Sequence, residues 1–310
     1  MQYLLGEFVV FMGIGMLWRR FMPMQVSADA LQRSLTALLY VVFVPGLLLT
    51  TLWKTQMDAT LLRIAVAAVG STAAGLAAGW FWFRNKNLSP AIKGSFIVAA
   101  AFGNVALLGL PVSTTLVAPW TVRTAATFEA FAVVLLLFTA GALLVYRLGG
   151  QESGRRPWMD IVREPVVWAI AAGIALNVAH VRMPAWAGAW LNLLSAGLTP
   201  VALIAVGLAL QWHTQWNQIA RFMLPVAAIQ LILIPVVLWV LVHIVALRGA
   251  QTLSSLVLQA AMPSALLGFV FCDRHKLDIS AYSAAFTLTT ALAFITVPLW
   301  FQALKMGLIR

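Results

Sequence analysis

Eight residues of this chain set polar groups or loosened backbone inside long apolar runs, where hydrocarbon would punish both. Gly103, Asn104, Gly109 and Pro111 lie in AAAFGNVALLGLPVS, and Gln259, Pro263 and Ser264 lie in SSLVLQAAMPSALLGF. Proline has no amide hydrogen and clashes with the turn before it, so within a membrane it survives only where protein or a water-filled cavity satisfies the freed carbonyl. A pair of Gly/Pro-interrupted apolar segments at matching positions of two halves marks the midplane binding site of a secondary transporter. Asn104 carries a donor and an acceptor on one amide, seven residues before Pro111, and is expected to contact substrate rather than only to bond a neighbouring helix. Gln259 and Ser264 flank Pro263 and are expected to add donors. Gly103, Gly109 and the two prolines shape the site. If both broken helices cross near the midplane, two half-helix N-termini bring their positive dipole ends together, which favours an anion.

The eighth residue is Glu129, in TAATFEAFAVVLLLF. A carboxyl group at that depth is costly to charge and marks a functional position by default. Here it is expected to serve the coupling ion, a proton with sodium as rival; a structural pair with Arg123 is the other use. Asn177 and Gln230 are expected to make interhelical hydrogen bonds. The rest of the chain offers little chemistry. His180, His213, His243 and His275 show no i, i+4 pairing for a metal, the single Cys272 permits no intramolecular disulfide, and no HExxH, GxSxG or P-loop occurs. No enzyme, metal or cofactor is expected, and a channel remains the alternative to a carrier.

The elements that hold these residues are membrane helices. The chain of 310 residues is 62% hydrophobic and 9% charged, against about 25% charged in soluble domains. Ten spans are expected near 3–18, 31–53, 60–83, 93–117, 122–147, 164–180, 188–210, 222–247, 252–272 and 281–304, each of about 20 residues. The net charge of +11 reflects basic residues at helix ends and implies a lipid bilayer, with no nucleic acid. Thirteen of the 20 basic residues follow odd-numbered spans, among them Arg19, Arg33, Arg84, Arg147, Arg155, Arg156 and Arg274, and seven fall on the other side. That bias puts both termini outside the cytoplasm. Gly75 and Gly79 form a GxxxG that brings helices close, within the subunit or at a homodimer seam.

The hydrophilic stretch 148–163 is expected to be a cytoplasmic linker between two five-helix repeats, 1–147 and 164–310. An odd number of spans per half forces the halves to be inverted. Pro111 and Pro263 stand 152 positions apart, and Pro45 and Pro200 stand 155 apart, so both pairs suggest one repeat offset.

AFGNVALLGLPVS resembles the fourth-helix motif of the auxin efflux carrier family. LLYVVFVPGLLLTTLW, LTPVALIAVGLALQW and AAMPSALLGFVFCDRH, with a Thr-rich last span ending ITVPLW, are similar to other helices of that family, over nearly the whole chain. The resemblance implies ten helices in two inverted five-helix repeats, a scaffold of helices one, two, six and seven, and crossed helices four and nine that move as an elevator, as in bile acid/sodium symporter-like folds. It implies that Asn104 contacts a substrate carboxylate and that the region of Pro263 completes the crossing. Plant members often carry Asn near the second crossover, where this chain has Gln259 and Ser264, and their long loop is missing. The size fits bacterial malate and malonate permeases of the inner membrane, so a small mono- or dicarboxylate is expected rather than auxin.

Overall fold

The computed structural model describes residues 2–148, 161–211 and 219–307. Most of the expected linker 148–163 lies outside them, with Arg155, Arg156 and His213. Among the described residues the protein is all-helical, with no strand beyond one isolated bridge. In chain order the helices are α1 Gln2–Phe21, α2 Ala28–Lys54, α3 Ala59–Phe83, α4 Pro90–Ala101, α5 Val105–Leu116, α6 Pro119–Arg147, α7 Pro165–Val178, α8 Ala185–Ala209, α9 Ala220–Ile244, α10 Ala250–Ala260, α11 Leu267–Arg274 and α12 Ile279–Lys305. Six of them, α2, α3, α6, α8, α9 and α12, are long and apolar enough to cross a membrane. α4 with α5, and α10 with α11, each fill one expected span as two pieces.

Local chemistry explains the boundaries. Ser27, Asp58, Ser89 and Asp278 cap α2, α3, α4 and α12, each accepting an amide hydrogen three residues on. Pro90, Pro119 and Pro165 open α4, α6 and α7, where their missing amide is not needed. Three prolines inside helices are absorbed by widening, whereas Pro200 and Pro298 lie in ordinary α turns. π-type turns cover Leu39–Phe43, Val105–Gly109 and Ile229–Leu233, each ending two residues before Pro45, Pro111 or Pro235. A wider turn moves the carbonyl that the ring would strike.

That pattern corrects the expectation for Pro111. It does not interrupt its helix; the interruption lies at 102–104, with Asn104 seven residues upstream of the proline. Pro263 sits within the second interruption, at 261–266. The two prolines are therefore not counterparts, and the offset drawn from them is short. α4 and α10 begin at Pro90 and Ala250, and α6 and α12 at Pro119 and Ile279, each 160 apart; α3 and α9 begin at Ala59 and Ala220, 161 apart.

Packing divides the helices. α1 lies on α8, α2 on α7 and α8, while α3 packs on α4, α6 and α9. Glycine makes the closest seams. A Cβ on Gly15 would strike Ile204 O, and one on Gly207 would strike Met12 O, so α1 and α8 touch backbone to backbone. A Cβ on Gly75 would strike Ile234 of α9, and one on Gly79 would lie 3.5 Å from Ile97 of α4, so the GxxxG pair serves contacts inside the protein. Arg19 ties the same framework, donating to Leu208 O at 2.6 and 2.8 Å and pairing with Asp29. Asn177 donates to the carbonyls of Leu52, Trp53 and Thr55 and finishes α2, an interhelical bond as expected.

Candidate functional site

The two interrupted spans meet where both have lost their helix. Asn104 N–H donates to Pro263 O at 2.7 Å, Ala265 N–H donates to Phe102 O at 2.8 Å, and Gly103 faces Ser264 as an antiparallel bridge. Short extended segments thus satisfy backbone groups that a broken helix leaves over, which a membrane interior requires. Gly103 is needed for this approach. A Cβ there would lie 2.9 Å from Gln230 Nε2 and 3.3 Å from Met262 O.

Asn104 is 2% exposed, and neither its Nδ2 nor its Oδ1 has a hydrogen-bond partner. Its backbone carbonyl accepts from Leu108 and Gly109, so the residue both ends the extended segment and starts α5. The amide is held at the crossing and left unsatisfied.

Glu129 of α6 reaches the same helix start. It is 1% exposed, its Oε2 accepts the Ala106 amide at 3.0 Å, and its Oε1 has no partner. The alternative pairing with Arg123 is not made, because Arg123 pairs with Asp58 and donates to Gln56 O. One of the two N-termini expected to await an anion therefore already carries a carboxyl group.

The partner segment is more fully engaged than expected. Ser264 donates to Ala99 O at 2.7 Å and lies 3.0 Å from Thr289 Oγ1, so its hydroxyl hydrogen is spent on the fold. Gln259 donates to Gly109 O and Ser113 Oγ, at 3.1 and 2.8 Å, leaving only Oε1 unpartnered. A Cβ on Gly109 would strike that same oxygen, which fixes glycine at 109. Pro111 follows in the first turn of helix beyond it, and Pro263 supplies the carbonyl bonded by Asn104.

Three neighbours escaped the sequence reading of the site. Gln230, expected only as a helix-packing group, donates to Met262 O at the second interruption and keeps Oε1 unpartnered. Tyr282 donates to Ala265 O at 2.6 Å, and Thr289 accepts the Ser264 amide at 3.3 Å. The Thr-rich start of α12 was the available signal, since Thr287, Thr289 and Thr290 are all buried. Lys and Arg are absent from the buried residues among those described. Charge compensation for an anion would have to come from amides and helix ends.

One of two cavities borders the crossing. That cavity, of about 60 Å³, is walled by Leu108, Val112, Met262, Pro263 and Thr290, whose Oγ1 is unpartnered. Another of about 530 Å³ opens between α2 and α11–α12, bordered by Gln32, Thr36, Phe269, Asp273 and Ser283.

Comparison with known proteins points to membrane transport. A family described as membrane transport protein matches residues 151–301. A protein of Methanothermobacter thermautotrophicus described as an uncharacterized transporter is 28% identical over 263 residues, 84% of each chain. The uncharacterized transporter YfdV of Escherichia coli K12 is 28% identical over 155 residues, 49% of this chain and 48% of its own. The uncharacterized transporter MJ1031 of Methanocaldococcus jannaschii is 23% identical over 226 residues, 67% of each.

Proposed function

We propose that this chain, whose residues 151–301 match a membrane transport protein family, is an auxin efflux carrier family member and a secondary carrier of small organic anions, mono- or dicarboxylates such as malate or malonate. It works by alternating access in a bacterial inner membrane, with both termini periplasmic. The observation that carries this reading is Asn104: a buried amide, unpartnered on both atoms, where two broken helices cross. An unpaired buried amide costs about 1–3 kcal/mol, and a bound carboxylate removes that cost by accepting from Nδ2. Glu129 and the start of α5 complete the surroundings.

The ten helical spans are read as two inverted five-helix repeats about this crossing. α1, α2, α7 and α8 form the fixed framework, and the remaining helices carry the site past it as an elevator. The 530 Å³ cavity lies between those groups, at the end that the distribution of basic residues assigns to the cytoplasm. Transport without a fixed cationic residue keeps binding weak enough for release.

A thermal-shift screen of purified protein against mono- and dicarboxylates tests the substrate class. Malate or malonate should stabilise the wild type, and Asn104→Ala should weaken that binding by about 1–3 kcal/mol with melting of the free protein unchanged. An unaltered dissociation constant in the variant would remove Asn104 from the site.

A further inference from the structure

We infer that the Glu129 carboxylate and the transported carboxylate compete for the N-terminus of α5, so that the anion settles at Asn104 only as Glu129 takes up a proton. This deepens the reading of the crossing as an organic-anion site and rests on it.

Glu129 Oε2 occupies the Ala106 amide, two residues beyond Asn104, in the first turn of a helix spanning Val105–Leu116. Amide hydrogens there, together with the positive end of the helix, are anion-favouring groups at the crossing. A carboxylate arriving beside Asn104 meets Glu129 already seated on them. Two like charges sharing one donor set repel strongly in a dry interior. No neighbouring charge relieves that conflict. α2 turns the phenol of Tyr40 toward Glu129 and holds its other ionisable groups, Asp29, Arg33 and Lys54, toward its ends. α3 contributes only Arg63, bonded to Ala246 O near the helix start; α5 and α7 contribute none; and Arg123, on α6 itself, is paired with Asp58.

The exchange therefore runs by protonation. A proton from the aqueous side binds a Glu129 oxygen, the Ala106 amide is released to the incoming anion, and the neutral carboxyl group stays beside it through Oε1, which has no partner in the free site. On the opposite side the anion leaves, the proton follows it into water, and Oε2 returns to Ala106. One proton travels with each anion, in the same direction. The second interruption differs: the Ser264 amide is held by the neutral hydroxyl of Thr289, which stands 160 positions after Glu129. Only one of the two half-helix starts can act as the proton switch.

The test uses labelled malate and the purified full-length protein, with affinity measured at two pH values that both keep malate a dianion. Wild-type affinity should rise at the lower pH, by up to about tenfold per pH unit for one linked proton. Glu129→Gln keeps a group of the same shape without titration, so its affinity should be independent of pH. If that variant does not fold, proteoliposomes containing wild-type protein and a trapped pH dye give an independent reading, in which malate entry should acidify the lumen. Malate binding that is indifferent to pH in the wild type, or that depends on sodium with no proton moved, overturns the competition. Failure of malate and malonate to bind at either pH overturns the organic-anion reading as well.

Discussion

Asn104 and Gly103 share one peptide segment but answer to different physics. Asn104 keeps a polar group unpaired in the interior, a cost that only a ligand or water removes, whereas Gly103 is small because Gln230 and the Met262 carbonyl leave no room for more. Substitutions should separate them. Gly103→Ala pushes Gln230 and the second interruption apart, so it should lower the melting temperature of the free protein, by a free energy on the order of 1–3 kcal/mol. Asn104→Ala should leave that temperature unchanged and affect only binding. Equal stability losses in the two variants would mean that Asn104 is structural too. The residue scale is also where sequence reading succeeded unevenly. The place of Asn104, at a break in its span, was legible because an amide beside glycine fits an unbroken apolar helix poorly. Ser264 was not, since a hydroxyl beside proline looks the same whether it donates to ligand or, as here, to Ala99 O.

At the scale of elements, glycine and proline positions carried most of the information, and one of them misled. Sequence periodicity placed every helix within a few residues, because apolar runs of span length have little freedom. The break in the fourth span was assigned to Pro111, yet a wide turn over Val105–Gly109 absorbs that ring and the chain opens at 102–104 instead. Nothing in the sequence distinguishes a proline that widens a helix from one that ends it; the tertiary partner, Pro263 O, decides. The α1–α8 seam offers a direct check of small-residue packing. Gly207→Ala and Gly15→Ala put a methyl group onto the opposing backbone and should each destabilise the purified protein, whereas Gly6→Ala and Gly13→Ala, with nothing within 4 Å, should be neutral. The opposite ranking would refute the seam. The start of α3 gives a pH prediction. Asp58 accepts the Leu61 amide and pairs with Arg123, and these interactions hold its carboxyl below the ordinary value of 3.8. Its contribution to stability is thus present at neutral pH and lost as pH falls through that lowered value. Asp58→Asn should flatten this acid limb of the melting temperature measured in detergent. An unchanged limb would show that the cap carries none of the acid sensitivity.

For the whole molecule, one polar contact across the boundary between the two groups of helices is the ion pair of Glu164, at the start of α7, with Arg274, at the end of α11. If the crossing helices slide past the framework, that pair must part. A cysteine pair at 164 and 274, made with Cys272 replaced by alanine, should stop exchange when oxidised and restore it when reduced. Exchange that continues through complete cross-linking would exclude the sliding motion. The prolines that served as landmarks stand 152 and 155 apart, whereas the starts of α4 and α10, and of α6 and α12, each stand 160 apart. A small carboxylate carried by a site that reorients must show counterflow. Proteoliposomes loaded with unlabelled malate and diluted into trace labelled malate should accumulate label transiently above equilibrium, and Asn104→Ala should reduce the overshoot. Entry of label that only equilibrates, together with ohmic single-channel currents carried by malate, would contradict it.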